Sequence, residues 1–185
     1  QENIYQHCVR IMKSYKGKQD RQKEKGFKEL QTKISKSSSQ DKVIMCDCTE
    51  ELEQALTGLV AIKVAESSNK PILLLRRKKD DPTVFGGSGR AFDYCPIEDF
   101  RGLTDSCPYV TLAQGHNQAF GVEIPESNID KAQKWFNEQL ADMDFAKVYA
   151  VDFEIDADEV DFFLCRDVDE YKTLWAKEVE KPLFA

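Results

Sequence analysis

The first part of the chain carries the spacing of an amphipathic helix. Between residues 2 and 36, apolar side chains recur three and four positions apart in two groups separated by a very polar middle. A helix that is apolar near both ends suits a connector that docks at each end, whereas an ordinary solvated helix is the alternative. We therefore predict a connector helix over residues 1–36, followed by a linker at 36–40. The apolar groups are Ile4, Cys8, Ile11, Met12 and Tyr15, and then Phe27, Leu30 and Ile34.

The pattern then changes from helical spacing to short continuous apolar runs. Residues 43–46 and 72–75 are two such runs, which indicate buried strands. Between them an apolar stripe predicts a helix, and Asp47 with Glu50 has the spacing of a capping box that would open it. Strand, helix and strand in this order predict a parallel βαβ unit, and so an α/β fold with a mixed central sheet flanked by helices. The stripe consists of Leu52, Leu56, Leu59, Val60 and Val64.

A hairpin, a further strand and a helix follow before the chain becomes acidic. Residues 76–79 are four consecutive cations, which we predict to be a solvated hairpin tip, and residues 83–85 start the return strand. Residues 120–124 alternate between apolar and polar positions, as in a strand with one buried face. Ser127 and Asp130 have the spacing of a second capping box, which predicts a helix over the residues that follow.

The last forty residues differ in composition from the rest. Their pattern predicts a strand near 148–153, an acidic segment at 156–161 and a helix through 171–175. We predict that residues 146–185 form an acidic appendage to the α/β domain.

Composition suits a water-soluble globular protein, with 41% hydrophobic and 32% charged residues. No apolar run approaches the roughly 20 residues of a membrane helix, and the first residues do not show the pattern of a signal peptide, so we expect none. Six cysteines without a CxxC pair, and only two histidines, argue against a zinc site. We expect a cytoplasmic protein with reduced thiols, no metal ligands in this chain and no membrane partner. The chain begins with Gln and ends on an apolar sequence, so we expect it to be part of a longer protein.

The net charge of −7 is distributed unevenly along the chain. Residues 1–40 carry a net charge of +6, residues 41–121 carry −3 and residues 122–185 carry −10. A basic front and an acidic rear predict that contact with a polyanion is confined to one part of the protein. The low overall pI therefore does not exclude nucleic acid as a ligand.

Candidate chemistry is concentrated in residues 86–121, which contain six of the nine glycines. The stretch opens with Gly-Gly-Ser-Gly-Arg at 86–90, which we predict to be a turn, and it closes around His116. Glycines let the backbone approach an anion closely, and arginine has the shape to bind phosphate with two hydrogen bonds. The stretch therefore predicts a phosphate-binding surface. The alternatives are a structural turn with Arg90 paired to a nearby acid, and a histidine that orders its own loop.

The serial order of four motifs resembles a known family. Thr-Gly-Leu-Val-Ala at 57–61, Lys-Pro-Ile-Leu-Leu-Leu at 70–75, Gly-Ser-Gly-Arg at 87–90 and Gly-His-Asn-Gln-Ala-Phe-Gly at 115–121 resemble the DHH-associated C-terminal domain of DHH phosphoesterases. Within that superfamily, the chain looks most like the RecJ-type single-strand-specific DNA exonucleases of bacteria or phages. The resemblance covers residues 40–145 and extends to the N-terminal helix. Residues 146–185 look similar to the RecJ segment that leads toward an OB-fold.

The resemblance implies a division of labour between two halves of a longer enzyme. The family's Asp-His-His triplet does not occur in this sequence, so manganese or magnesium would be held in a missing DHH half. This chain would hold the substrate, with Arg90 on a phosphate and His116 donating near the scissile bond in a supporting catalytic role. One departure is Gln114, where most relatives have a second glycine. The implied substrate-binding residues are Gly87, Ser88, Gly89, Arg90, Gly115, His116, Asn117 and Gln118.

We predict that the chain is the substrate-binding part of a RecJ-like 5′-to-3′ exonuclease, whose partner is single-stranded nucleic acid, with DNA favoured. It would be a monomer within a longer chain and inactive by itself. One alternative is a smaller DHH-type phosphoesterase that acts on oligonucleotides or cyclic dinucleotides. The other is a non-catalytic nucleic-acid-binding module.

Overall fold

A five-stranded mixed sheet with helices on both faces organises the larger part of the protein. The structure is a computed structural model that describes residues 2–35, 40–175 and 182–185. The chain divides into two compact units, Gln1–Ala146 and Lys147–Ala185. The elements are α1 (Ile4–Ile34), β1 (Ile44–Asp47), α2 (Thr57–Ser68), β2 (Ile72–Arg77), β3 (Val84–Arg90), α3 (Phe100–Asp105), β4 (Leu112–His116), β5 (Ala119–Pro125), α4 (Ile129–Gln139) and α5 (Phe162–Glu170).

The strand order in the sheet is β1-β2-β3-β5-β4. β1 pairs with β2 in parallel, and the crossover between them is α2, as the alternation of apolar runs predicted. The remaining pairs are antiparallel, with β3 between β2 and β5 and with β4 at the edge. The predicted α/β class and mixed sheet are confirmed.

The two faces of the sheet bury different sets of side chains. One face carries Leu73, Phe85 and Phe120, which pack with Phe100 of α3 and Phe136 of α4. The other face, toward α1 and α2, buries a second cluster that contains Ile72 and Leu74 of β2 with side chains from both helices. Continuous apolarity in β2 is therefore the signature of a strand covered on both faces.

The long N-terminal helix is confirmed, with Asn3 and Gln6 forming a reciprocal capping box at its start. Its C-terminal half docks on α2 through the buried side chains of Phe27 and Leu30. The first apolar group is exposed, as Ile4 at 68% shows. The linker predicted at 36–40 lies, except for residue 40, outside the described residues.

Both predicted capping boxes between strands and helices are wrong. Asp47 ends β1 and accepts a hydrogen bond from the Thr49 amide at 2.8 Å, so it orders a local turn, and α2 begins only at Thr57. Leu59, a member of the apolar stripe that predicted the helix, is 44% exposed. In the second case Ser127 lies inside a 3₁₀ turn, and α4 begins at Ile129 without a side-chain cap. Local spacing alone could not distinguish these turns from helix starts.

The glycine-rich segment predicted as a turn is strand β3, the middle strand of the sheet. A methyl group on Gly89 would lie within 2.7 Å of three ring carbons of Phe120. Glycine is therefore present because an aromatic ring packs directly on the strand, and this non-local packing overrides the low strand propensity of glycine. Strand β4, with a two-residue connection to β5, was also missed.

In the second unit, Lys147–Ala185, the described residues contain little regular structure. In place of the strand predicted near 148–153, a single parallel bridge joins Phe153 to Phe184, whose rings stack at 5.4 Å. Its helix α5 starts at the Asp161 cap and is followed by a 3₁₀ turn at Tyr171–Leu174, so the predicted helix lies further upstream than expected. Throughout the described ranges, no helix has the combined length and apolarity needed to cross a membrane.

Candidate nucleic-acid interface

One face of the sheet is left uncovered where it extends past α2. Strand register places alternate residues of β3, β5 and β4 on the same face as Ile72 and Leu74 of β2. Helix α2 buries those two β2 side chains, but Gly121, Gln114 and His116 farther along the face are exposed. We call this surface the open sheet face. It consists of Gly86, Ser88, Arg90, Leu112, Gln114, His116, Ala119, Gly121 and Glu123.

Arg90 faces a cavity of about 780 Å³ between α2 and the end of β3. Its side chain is half-buried, and Nη1 donates to the carbonyl oxygens of Gly89 at 2.6 Å and Phe120 at 3.3 Å. Burial lowers the pKa of the Arg90 guanidinium, which nevertheless stays protonated. Within the described ranges no carboxylate lies at ion-pair distance from Arg90, although Asp93 lines the same cavity. The alternative of a structural salt bridge is therefore not observed.

Gly58, in the first turn of α2, gives the Arg90 guanidinium its space. A methyl group on Gly58 would lie 2.7 Å from Nη2 of Arg90 and 3.6 Å from Oγ of Ser88. The side chains of Ser88 and Arg90 are therefore close to the start of α2, where the helix dipole favours an anion. Ser88 also lines a second cavity on the same face.

Gly87 and Gly89 have packing roles in the structure. β3 is paired on both sides, so the backbone amides of these glycines belong to the sheet ladders. Gly89 makes room for the Phe120 ring, and Gly87 lies against the backbone of β2. A direct part of either glycine in substrate binding stays a prediction.

His116 lies at the end of β4, in the same row of the sheet as Arg90. His116 pairs with Ala119, which pairs with Arg90, so their Cα atoms are about two strand spacings, or roughly 10 Å, apart. The His116 side chain is exposed. Gly115 before it has a φ of +143°, a conformation that requires glycine and that sets the direction of the hairpin end.

The hairpin connection contains Asn117 and Gln118. The Gln118 amide nitrogen donates to the carbonyl oxygens of Ile97 at 2.6 Å and Glu98 at 2.9 Å. Gln118 therefore fixes the loop that lines the Arg90 cavity, and its Oε1 is buried without a partner among the described residues. The exposed Asn117 accepts a hydrogen bond from the Arg101 amide through its own carbonyl. Substrate contacts of Asn117 and Gln118 stay predictions.

A second cavity, of about 420 Å³, lies on the same face next to the Arg90 cavity. Arg76 lines this cavity. The prediction of a solvated hairpin tip at 76–79 is wrong for this residue, because Arg76 is a half-buried residue of β2. In the part of the chain that the structure describes, Nη1 of Arg76 and Oγ1 of Thr57 are both buried without a hydrogen-bond partner. Residues two positions apart in a strand lie on the same face, so Arg76 follows Ile72 and Leu74 on one face. This spacing was the sequence signal for the residue.

The described residues contain no group of three or more His, Cys, Asp or Glu side chains placed to hold a metal ion. Cys46 and Cys48, on β1 and just after it, are buried, and burial raises the pKa of their thiols to about 11 and about 12. These thiols are therefore protonated near neutral pH.

Known proteins resemble the chain both in sequence and in fold. It is 32% identical over 186 residues to a protein named as a SPbeta prophage-derived single-strand DNA-specific exonuclease, YorK, of Bacillus subtilis (strain 168), and equally similar to its counterpart from Bacillus phage SPbeta. The alignment covers 99% of this chain but 32% of those proteins, so the chain spans about a third of their length. No protein-family model matches the chain.

Solved structures of RecJ share the fold. Those from Thermus thermophilus in complex with Mg²⁺ and with Mn²⁺ superpose with TM-scores of 0.71 and 0.69, at 17% and 18% identity. Both superpositions cover 97% of this chain, but 27% and 26% of the RecJ chains. A structure of exonuclease RecJ bound to manganese superposes with a TM-score of 0.54 over 75% of this chain. The chain therefore has the fold of one part of RecJ.

Proposed function

We propose, from the confirmed resemblance of this chain to part of a RecJ-type single-strand-specific exonuclease, that it holds the backbone of single-stranded DNA for that enzyme. The observation that carries the proposal is Arg90, a half-buried guanidinium that has no carboxylate partner among the described residues and lies in a cavity beside Ser88. A charge removed from water is costly unless a counter-charge is supplied. A backbone phosphate supplies that charge at every nucleotide.

The open sheet face suits a strand of nucleic acid because its floor is made of small residues. Gly86, Ser88, Ala119 and Gly121 leave room above the sheet, so a phosphate can approach Arg90 closely. The two carbonyl contacts of Nη1 orient the guanidinium, while Nε and Nη2 remain as donors to phosphate oxygens. The Ser88 hydroxyl adds a donor, and the ring of the exposed His116 lies in the same row as Arg90.

Hydrolysis of the phosphodiester is proposed to depend on residues outside this chain. The sequence contains no Asp-His-His triplet, and the RecJ structures in complex with Mg²⁺ or Mn²⁺ are about four times as long as the region that superposes. Divalent ions in such enzymes activate water and polarise the phosphate. This chain would contribute the position of the strand relative to those ions.

The 185-residue chain should bind oligothymidylate weakly and should not cleave it, even with manganese present. Because binding is dominated by phosphate contacts, the logarithm of the association constant should fall with that of the salt concentration, by about 0.7 per phosphate contacted. Fluorescence anisotropy at several salt concentrations measures the slope, and gel analysis of labelled DNA measures cleavage. Metal-dependent hydrolysis by this chain, or binding of a cyclic dinucleotide but not of oligothymidylate, would contradict the proposal.

Gly58→Ala should weaken DNA binding while leaving the fold intact or more stable. The added methyl group would displace the end of the Arg90 side chain, which can move, whereas alanine is favoured over glycine in a helix by up to about 1 kcal/mol. Gly17→Ala in α1 is the matched control, since its methyl group would meet only Nη1 of Arg21 at 3.6 Å. Thermal melts and anisotropy should show a binding loss for Gly58→Ala alone. Equal affinities for the two variants would contradict the placement of Arg90 in the site.

A further inference from the structure

The second cavity on the open sheet face contains polar groups that the described part of the fold does not satisfy. Thr57, the first residue of α2, is 3% exposed, and its hydroxyl oxygen has no hydrogen-bond partner among the described residues. Arg76 lines the same cavity, and its Nη1 is likewise buried without a partner there. Buried donors without partners are rare because each has given up its hydrogen bonds to water. Two of them beside one cavity leave donors available to a ligand that enters it.

The charges around the cavity favour an anion as that ligand. Lys78 is paired with Glu123 at 2.8 Å and Arg77 is paired with Glu126, so these cations are neutralised within the fold. Arg76 has no carboxylate at ion-pair distance in the described part of the chain. The exposed Lys79 and Asp80 also line the cavity, and their opposite charges offset each other.

Helix α2 adds a second attraction for an anion in the same place. It is twelve residues long and begins at Thr57 directly after a 3₁₀ turn at Gln54–Leu56, whose Gln54 carbonyl accepts the Thr57 amide. The positive end of the helix dipole therefore lies beside the cavity, although the Thr57 amide itself already has a partner. The Thr57 hydroxyl can donate to the same group that Arg76 binds. Arginine, a hydroxyl and a helix start together match a phosphate or a similar oxyanion.

The position of the cavity relates it to the Arg90 cavity. Arg76 pairs with Gly86, four residues before Arg90 on β3, so the two arginines lie in rows about 13 Å apart on one face. The two side chains line separate cavities, so each arginine is assigned a phosphate of its own. Ser88 lies between the two rows and lines both cavities. Gly86 and Gly121, which line the second cavity, have no side chains that would separate the two cavities.

We propose that Arg76 and Thr57 form a second phosphate subsite, which holds a different backbone phosphate of the strand that Arg90 binds. The inference rests on the proposed function for its ligand, but the orphaned donors of Arg76 and Thr57 are independent of Arg90. Two subsites on one face fix the direction in which a strand crosses the sheet, as well as its position.

Arg76→Gln compared with Arg77→Gln tests this subsite. The two variants change the net charge equally at neighbouring positions of β2, but Arg77 is already paired with Glu126. We expect Arg76→Gln to raise the dissociation constant for oligothymidylate about tenfold and to lower the salt slope by about 0.7, and Arg77→Gln to change the affinity less than about twofold. Thr57→Val, which keeps the shape and removes the hydroxyl, should weaken binding in the same direction. Thermal melts should show all three variants folded.

The outcomes separate the subsite from the proposed function. If Arg90→Gln weakens binding but Arg76→Gln behaves like Arg77→Gln, the subsite is wrong and the proposed function stands. If the chain binds no oligothymidylate, inorganic phosphate is titrated into ¹⁵N-labelled protein. Saturable shifts of the Thr57 amide and the Arg76 side chain that disappear in Arg76→Gln would then support an anion site without a DNA role. Absence of such shifts would overturn the subsite as well.

Discussion

Arg90→Gln should raise the dissociation constant of the chain for single-stranded DNA at least tenfold. Charge-assisted hydrogen bonds contribute about 1.5–3 kcal/mol each, and about 1.4 kcal/mol corresponds to a factor of ten. Because Arg90 has no carboxylate partner in the described ranges, its whole charge is available to the ligand. The salt slope should fall by about 0.7, which corresponds to the loss of one phosphate contact. Anisotropy titrations at several salt concentrations measure both effects.

The stability of the Arg90→Gln variant should remain close to that of the wild type. The substitution removes the Nη1 contacts to the carbonyls of Gly89 and Phe120, but it also removes the cost of holding a cation half-buried. Arg101→Gln is the control for charge alone, since Arg101 lies on α3 near Asp99, at the opposite face of the sheet. If both variants bind DNA equally well, or if Arg90→Gln binds like the wild type, Arg90 is not the principal phosphate ligand.

The parts of the fold that could be predicted from sequence are those that the local spacing of apolar residues reveals. β2 was predictable because Ile72–Leu75 is apolar at every position, and a strand covered on both faces needs that pattern. Helix α1 was predictable because helical spacing recurs in two groups of apolar residues, although the first group is exposed in the structure. The predicted capping boxes were wrong because Asp47 accepts a hydrogen bond from the Thr49 amide in a local turn, and Ser127 lies in a 3₁₀ turn. The same residue types occur in such turns and at helix starts.

The candidate site was predictable in its residue types more than in its shape. Arg90 and His116 do share one face, but the segment around Arg90 is a central strand. Its glycines are needed because Phe120 and the backbone of β2, both distant in sequence, pack against them. Arg76 was missed because four consecutive cations have the composition of a solvated tip. The register with β3 shows that the first two of them, Arg76 and Arg77, belong to β2, and that Arg76 is the one on the face of Ile72 and Leu74. Arg77 is paired with Glu126 and Lys78 with Glu123.

Gly87→Ala should destabilise the chain severely, by about 3 kcal/mol or more. A methyl group at position 87 would lie within 3.0 Å of three backbone atoms of Leu74 and Leu75 in the adjacent strand. Backbone atoms in a central ladder cannot move aside as a side-chain end can, so overpacking here costs at least the upper part of the usual range of about 1–3 kcal/mol. Urea denaturation followed by circular dichroism would measure the loss.

Gly86→Ala and Gly121→Ala test whether the sheet needs glycine at all of these positions or only where a methyl group would clash. Their methyl groups would come no closer than 3.4 Å to Lys78 Cγ and 3.7 Å to the Gln114 carbonyl oxygen, and alanine is less costly than glycine in a strand by about 0.5–1 kcal/mol. Both variants should therefore be as stable as the wild type or more so, although both lie on the open sheet face. A similar loss in all three variants would mean that the sheet needs flexibility at its glycines. A loss confined to Gly87→Ala would mean that β2 and β3 require close approach there, which holds Arg76, Ser88 and Arg90 in their rows.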